Sequence, residues 1–307
     1  MKKRNLLAAV LFVPVLAVGQ PGQPQSGPPD LSTTGEPPML GIHWTRDFDP
    51  FARAHDAHGA RPGSALMTYH GGKIMVTANT TNIFWGTSWT SNPGDKISGL
   101  DLWYTGFSNS NYAVTSDEYT GSNGQVGPTI THHGFVIDGS QSSGGGNTSV
   151  ILAEVCKVIT NPDPSGNGYY SVYSDTPRGN ANYCAYHSAG TCGGKPVQFA
   201  FFFKLDGDPG CDPQDTTSGH SQGLAALANV SGHELSEART DPANPGAWYD
   251  SSGAENGDKC AWTFNVPLVT FSNGTVWKIQ GEWSNAAYTA GTGYPNRSGQ
   301  HGCLDGH

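Results

Sequence analysis

Residues 231–241 read SGHELSEARTD, and their reading decides what the rest of the chain is built around. Across Gln222–Arg239, the residues Leu224, Leu227, Val230, Glu234, Leu235 and Ala238 populate one broad side at three- and four-residue spacing, which predicts an α-helix. Pro242 pushes Asp241 out of helical geometry and sets its end. On such a helix His233 and Glu237 stand one turn apart, with Cβ atoms about 5–6 Å from each other, close enough for one cation to take both. Glu234 follows the histidine directly, where the general base stands in H-E-x-x-H metalloproteases. Here the second histidine is a glutamate, giving H-E-x-x-E. Carboxylate oxygen binds zinc at about 2.0–2.2 Å, so the exchange is chemically permissible. Two plainer readings compete: a solvated helix face, and a buried histidine satisfied by a neighbouring carboxylate.

A catalytic zinc takes three protein ligands and keeps a position open for water, and the helix supplies two. His187 in YCAYHSAG and His70 in TYHGGKI are the first candidates for the third. Asp241 is another, but eight residues of helix rise about 12 Å, so it can join only if the helix stops and the chain folds back. Otherwise it closes a turn. The following stretch, NPGAWYDSSGAENGDKCAW (244–262), gathers Asp250, Glu255, Asn256 and Asp258 among glycines. Oxygen-rich loops can hold calcium, although the spacing is not that of an EF-hand, and a solvated acidic loop is the default. GHSQG (219–223) matches the letters of a nucleophile elbow but lacks the strand that should precede it.

Outward from the helix, the chain reads as mixed α and β. Lys73–Trp85, Thr129–Asp138, Tyr169–Tyr173, Tyr183–His187 and Val197–Leu205 read as strands, the last apolar enough for a central, doubly covered position. Val150–Ile159 reads as a short helix, and Val266–Ser272 with Thr275–Gly281 as a hairpin around Asn273-Gly274. The expected architecture is α+β: a mixed sheet with the HExxE helix packed on it, zincin-like, in a single disulfide-containing domain. Residues 63–307 form that domain, large enough for one sizeable core. Residues 20–62 read as a Pro/Gly-rich linker and N-terminal extension.

The first 19 residues read as an export signal: Lys2, Lys3 and Arg4, then an apolar run from Leu6 to Val18, then small residues. The run is too short to span a bilayer comfortably. Its removal takes away three basic residues and no acidic one, moving the formal charge from −9 to −12. Such an acidic chain lacks the basic footprint of a nucleic-acid or anionic-membrane binder. Six cysteines in an exported chain imply up to three disulfides, with Cys184–Cys192 and Cys260–Cys303 the expected pairs. The expected location is extracellular or periplasmic.

Several segments together resemble one family. TYHGGKIMVTANTTNIFWGTSW (68–89), NYCAYHS (182–188) and SGHELSEARTDPANPGAWYDSSGAENGDKC (231–260) are similar to the exordium-like, or phosphate-induced, proteins, over about residues 66–303. The positions matching that pattern are His70, Cys184, His187, His233, Glu234, Glu237, Trp248, Asp258 and Cys260. The proline-rich start and the loops around 139–149 and 261–275 depart from it. The resemblance implies export to a cell wall or extracellular space and brings no established reaction. The resulting expectation is a secreted metal-dependent hydrolase acting on an extracellular peptide or cell-wall polymer. Zinc would be held by His233, Glu237 and one of His187, His70 or Asp241, with Glu234 as base. The alternative is a non-enzymatic module whose Trp85, Trp89 and Trp248 contact cell-wall glycan.

Overall fold

The run KPVQFAFFFK (195–204) forms the centre of the main sheet. The computed structural model describes residues 36–48, 50–51 and 65–307; the expected signal segment lies outside them. Six strands make the sheet: β1 (Leu40–Trp44), β2 (Ala78–Trp85), β3 (Ile130–Asp138), β4 (Gly168–Pro177), β5 (Tyr183–Cys192) and β6 (Lys195–Lys204). Their order is β1-β5-β6-β4-β2-β3. The three strands β4, β2 and β3 run parallel to β6, and β5 and β1 run antiparallel at the other edge. β6 therefore has a partner on both sides and sheet faces covered above and below. Val197, Phe199, Ala200, Phe201 and Phe202 are all fully buried, and full burial of each large side chain is worth about 1.5–3 kcal/mol.

Four helical segments matter for the site: α1 (Lys96–Phe107), α2 (Thr148–Val158), α3 (Gln222–Thr240) and α4 (Asn256–Lys259). Side chains alternate along a strand, and β5 shows which helix covers which face. Gly190 lies under Leu152 of α2, whereas His187 points the other way, to Glu237 of α3. α1 packs beside α3, giving helix, sheet and helix layers. The mixed α and β architecture with the HExxE helix on a mixed sheet is thus present.

α3 starts at Ser221, whose hydroxyl accepts from Leu224 N–H (3.2 Å) and donates to Asp95 (2.6 Å). That serine is a helix cap, and the GHSQG segment is no nucleophile elbow. The helix ends at Asp241, before Pro242, as expected. It departs from the amphipathic reading in one respect: every residue from Gly223 to Thr240 is buried. The sheet covers one side; α1, α4 and the segment through Trp277 and Gln280 cover the rest. The predicted hairpin shortens accordingly to Val269–Thr270 with Val276–Trp277, because Ile279 and Gln280 are drawn into the core over α3. Likewise β2 begins at Ala78 and not at Lys73, since Ile74 is tied through both its N–H and its carbonyl to the Asn123 side chain.

The largest correction concerns the N-terminal extension. Leu40–Trp44, within the stretch 20–62 read as linker and extension, is a buried strand of the main sheet. Gly41 sits at an irregularity in its pairing with β5, at φ +37°, a conformation that favours glycine.

Three disulfides close the fold: Cys156–Cys192, Cys184–Cys211 and Cys260–Cys303. The last is the expected pair. Cys184–Cys192 is not formed, because both cysteines lie on β5 and eight extended residues span about 26 Å. Loops of 27, 36 and 43 residues stabilise by about 3.5–4 kcal/mol each in the chain-entropy account. No helix among the described residues is long and apolar enough to cross a membrane.

Candidate metal centre

The helix brings His233 and Glu237 together as its period dictates. His233 Nε2 lies 3.1 Å from Glu237 Oε1 and 3.8 Å from Asp258 Oδ1. Asp258 arrives on α4, a single turn fixed by a reciprocal cap: Glu255 N–H donates to Asp258 (3.0 Å) and the Glu255 carboxylate takes the return bond. Asp258 N–H in turn donates to Glu237 Oε1 (2.9 Å), which locks α4 onto α3. His187, presented by β5, lies 3.4 Å from Glu255 Oε2. Two groups of three convergent ligand atoms result, His233–Glu237–Asp258 and His187–Glu237–Glu255, every member buried.

The strand β1 closes the arrangement from the sheet side. Gly41 N–H donates to Glu255 Oε1 (3.1 Å), and His43 N–H to Glu234 Oε1 (3.3 Å). The His43 ring stacks on His233 with centroids 4.1 Å apart and planes 5° from parallel. A Cβ on Gly41 would lie 2.1 Å from Glu237 Oε2 and 2.3 Å from His187 Nε2. A Cβ on Gly257 would lie 2.8 Å from His233 Nδ1 and 2.9 Å from Glu237 Oε1. Both glycines are there because the backbone must approach the centre more closely than any side chain allows.

Electrostatics make this the least ordinary part of the molecule. Glu234, Glu237, Asp241 and Glu255 are at most 1 % exposed. Burial pushes the Glu234 carboxyl well up, with Glu237 and Asp258 adding to it. Burial does the same to Glu237 against the N–H groups of Asp258 and Gly257, and to Glu255, where Asp241 and Glu237 reinforce it. Asp241 is pushed up to about 8 by burial. The nearby cations are committed elsewhere: Lys259 to Asp250 (2.6 Å) and Arg239 to Asp117 (3.7 Å). Burial holds His187 and His233 down to about 3, so both imidazoles are neutral and keep a lone pair.

Several of these atoms lack a partner. His233 Nε2, Glu237 Oε2, Glu234 Oε2 and the Nδ1 atoms of His43 and His187 are buried without a hydrogen bond. The 3.1 Å approach of His233 Nε2 to Glu237 therefore lacks hydrogen-bond alignment. Ligand atoms on a four-coordinate ion at about 2.0–2.2 Å stand roughly 3.3–3.6 Å apart, and the observed 3.1, 3.4 and 3.8 Å bracket that spacing. Gln280 sets the remaining condition. Its amide nitrogen lies 2.8 Å from Gly257 O and 3.2 Å from His233 Nδ1. An ion on Nε2 puts the ring proton on Nδ1, and the Gln280 amide must turn its oxygen to accept it, giving up the Gly257 bond.

Not every expected ligand is here. His70 is exposed just after the strand Thr68–Tyr69, stacked on Tyr249 at 3.7 Å and bonded to Thr68 (3.0 Å); it belongs to neither group of convergent ligands among the described residues. Asp241 does fold back, but its carboxylate accepts from Ala247 N–H (2.5 Å) and closes the turn. The acidic stretch 250–258 is not the solvated loop expected by default: Asp250 pairs with Lys259 and caps the turn through Ser252 and Ala254, while Glu255 and Asp258 are buried. Trp85 and Trp89 are core residues at 6 % and 4 % exposure. Trp248 is half-buried, its indole N–H donated to Thr120 O (2.7 Å). His43 and Gln280 escaped the sequence reading; the apolar run MLGIHW around His43 was the available signal.

Asp258, with Asp250, Lys259, Asn296 and Arg297, also lines a surface cleft. The chain matches no protein-family model, no curated protein and no solved structure.

Proposed function

We propose that this chain is an exported, exordium-like protein built around a divalent transition metal, zinc being the best match, held by His233, Glu237 and Asp258 in a zincin-like setting of helix against sheet. One observation carries the reading. A neutral, fully buried imidazole nitrogen and a fully buried carboxylate face each other at 3.1 Å without a hydrogen bond, as two lone-pair donors face a shared cation. Imidazole together with carboxylate suits zinc, manganese or iron. Calcium, which takes six to eight oxygens, fits less well with a histidine in each group. The test is elemental analysis of the purified exported protein beside His233→Ala. Stoichiometric metal in the wild type, at least one equivalent of it lost in the variant, is expected; metal in neither overturns the proposal.

The second reading is hydrolysis of an extracellular peptide or cell-wall polymer, and Glu234 favours it. Its Oε2 is buried and unpartnered beside the metal ligands, which suits a base that moves a proton from water. Substrate access then requires β1 to withdraw, since Gly41 and His43 lie across the centre. Glu234→Gln should keep the metal and abolish hydrolysis; retained hydrolysis in that variant overturns the mechanism. The glycan-binding alternative is weaker, with two of its three tryptophans in the core.

A further inference from the structure

The geometry points to a second metal ion beside the first, with Glu237 bridging the two through its separate carboxylate oxygens. This rests on the single-metal reading above and extends it. Oε1 of Glu237 faces His233 at 3.1 Å. Oε2 lies on the other side, close to His187 Nε2: the two atoms stand 2.1 and 2.3 Å from the position a Gly41 Cβ would take, and so no more than 4.4 Å from each other. Glu255 Oε2 approaches the same histidine at 3.4 Å. Each half thus has one imidazole, one carboxylate of its own and one oxygen of Glu237. The unpartnered Oε2, on a residue with no exposed surface, is aimed into the second half and not the first.

Charge bears on whether one ion or two are held. An ion at His233 lies between Glu237 and Asp258, while Glu255 stands on the His187 side, 3.4 Å from its Nε2. Among the described residues no lysine or arginine forms an ion pair with Glu237, Glu255 or Asp241. With a single dication the His187 half has no cation, and its buried carboxyls hold protons instead. A second dication takes the place of those protons. Paired metals in carboxylate-bridged sites stand about 3.5–4 Å apart, compatible with one carboxylate spanning two neighbouring histidines. With one imidazole to each ion, the class is again zinc(II), manganese(II) or iron(II).

The experiment is reconstitution. Full-length exported protein is stripped with a chelator, reloaded with zinc(II), dialysed and analysed for metal per chain. Two equivalents are expected in the wild type, and one in His187→Ala, which leaves the His233 half intact. One equivalent in the wild type overturns the bridged pair while sparing the single-metal proposal; none overturns both. Should His187→Ala fail to fold, manganese(II) loading of the wild type needs no variant. Two equivalents bound with an exchange-coupled paramagnetic resonance signal support the bridge, and the six-line signal of isolated ions at two equivalents overturns it.

Discussion

Replacing Gly41 with alanine probes how tightly β1 is fitted over the centre. The new Cβ would fall 2.1 Å from Glu237 Oε2 and 2.3 Å from His187 Nε2, well inside van der Waals contact, so β1 or the ligands must move. Three effects add up. Holding an alanine at φ +37° costs about 1–2 kcal/mol. Forcing a methyl group into a packed interior costs about 1–3 kcal/mol. Displacing β1 also breaks the Gly41 N–H bond to the Glu255 carboxyl and leaves a buried polar pair unsatisfied, at a cost of about 1–3 kcal/mol. The expected loss is about 3–8 kcal/mol, a large share of the roughly 5–15 kcal/mol that holds a typical domain together. Gly179 is the internal control: its φ is +60° and nothing lies within 4 Å of its Cβ position, so Gly179→Ala carries only the backbone cost of about 1–2 kcal/mol. Urea unfolding of both variants, with unchanged m-values, separates the two, and zinc titration of the same samples reports the centre. If Gly41→Ala loses no more stability than Gly179→Ala and binds zinc like the wild type, the closure described for β1 is wrong.

Gln280→Met should lower zinc affinity about 10–100-fold, the usual effect of losing the partner that orients a ligating histidine; an unchanged titration would remove Gln280 from the centre. Replacing Cys260 and Cys303 by serine frees α4 from the C-terminal strand His301–Leu304. It should cost about 4 kcal/mol on the entropy account of a 43-residue loop and weaken metal retention, because Asp258 rides on α4; elemental analysis checks the second effect. Away from the centre, burial and a hydrogen bond with Asp138 push Glu154 up to about 7. The folded state then holds a proton that the unfolded chain releases from about 4.5 upward, so this group's stabilisation is lost as pH rises from about 4.5 through 7. Glu154→Gln, which mimics the protonated form, should flatten that part of a stability–pH profile, and a slope of the same sign and size in the variant would refute the assignment.

Periodic and local features were legible in the sequence. α3 was readable from its spacing and from Pro242, α2 nearly to the residue, and β6 from an apolar run that needs cover on both faces. What escaped depends on contacts between distant parts of the chain. β1 is five residues long and follows Pro37-Pro38. It becomes a strand only because β5, some 140 residues later, offers it an edge. The burial of α3 on its polar side was equally hidden, since the segment that covers it comes from residues 256–283. Local composition cannot distinguish Glu255 and Asp258 turned inward by a capped turn from the same residues solvated on a loop.

The same limit explains why His187 and His70 were equal candidates on sequence grounds and are unequal in space. Each lies near the aromatic end of a short β segment, and neither has a distinguishing neighbour. In β5, however, alternation sends Tyr186 toward α2, where its hydroxyl reaches Gly145 O (2.8 Å), and so His187 must face α3. His70 directly follows the two-residue strand Thr68–Tyr69, outside the main sheet, where it is exposed and Tyr249 stacks on its ring. The placement of β5 inside the sheet, one strand from β1, puts an imidazole opposite the second turn of carboxylates on α3. The convergence of ligand atoms on which the proposed metal centre rests is therefore a property of the topology as much as of the HExxE motif: shifting β5 by one residue in register would carry His187 to the α2 face and leave Glu237 and Glu255 buried with no imidazole between them.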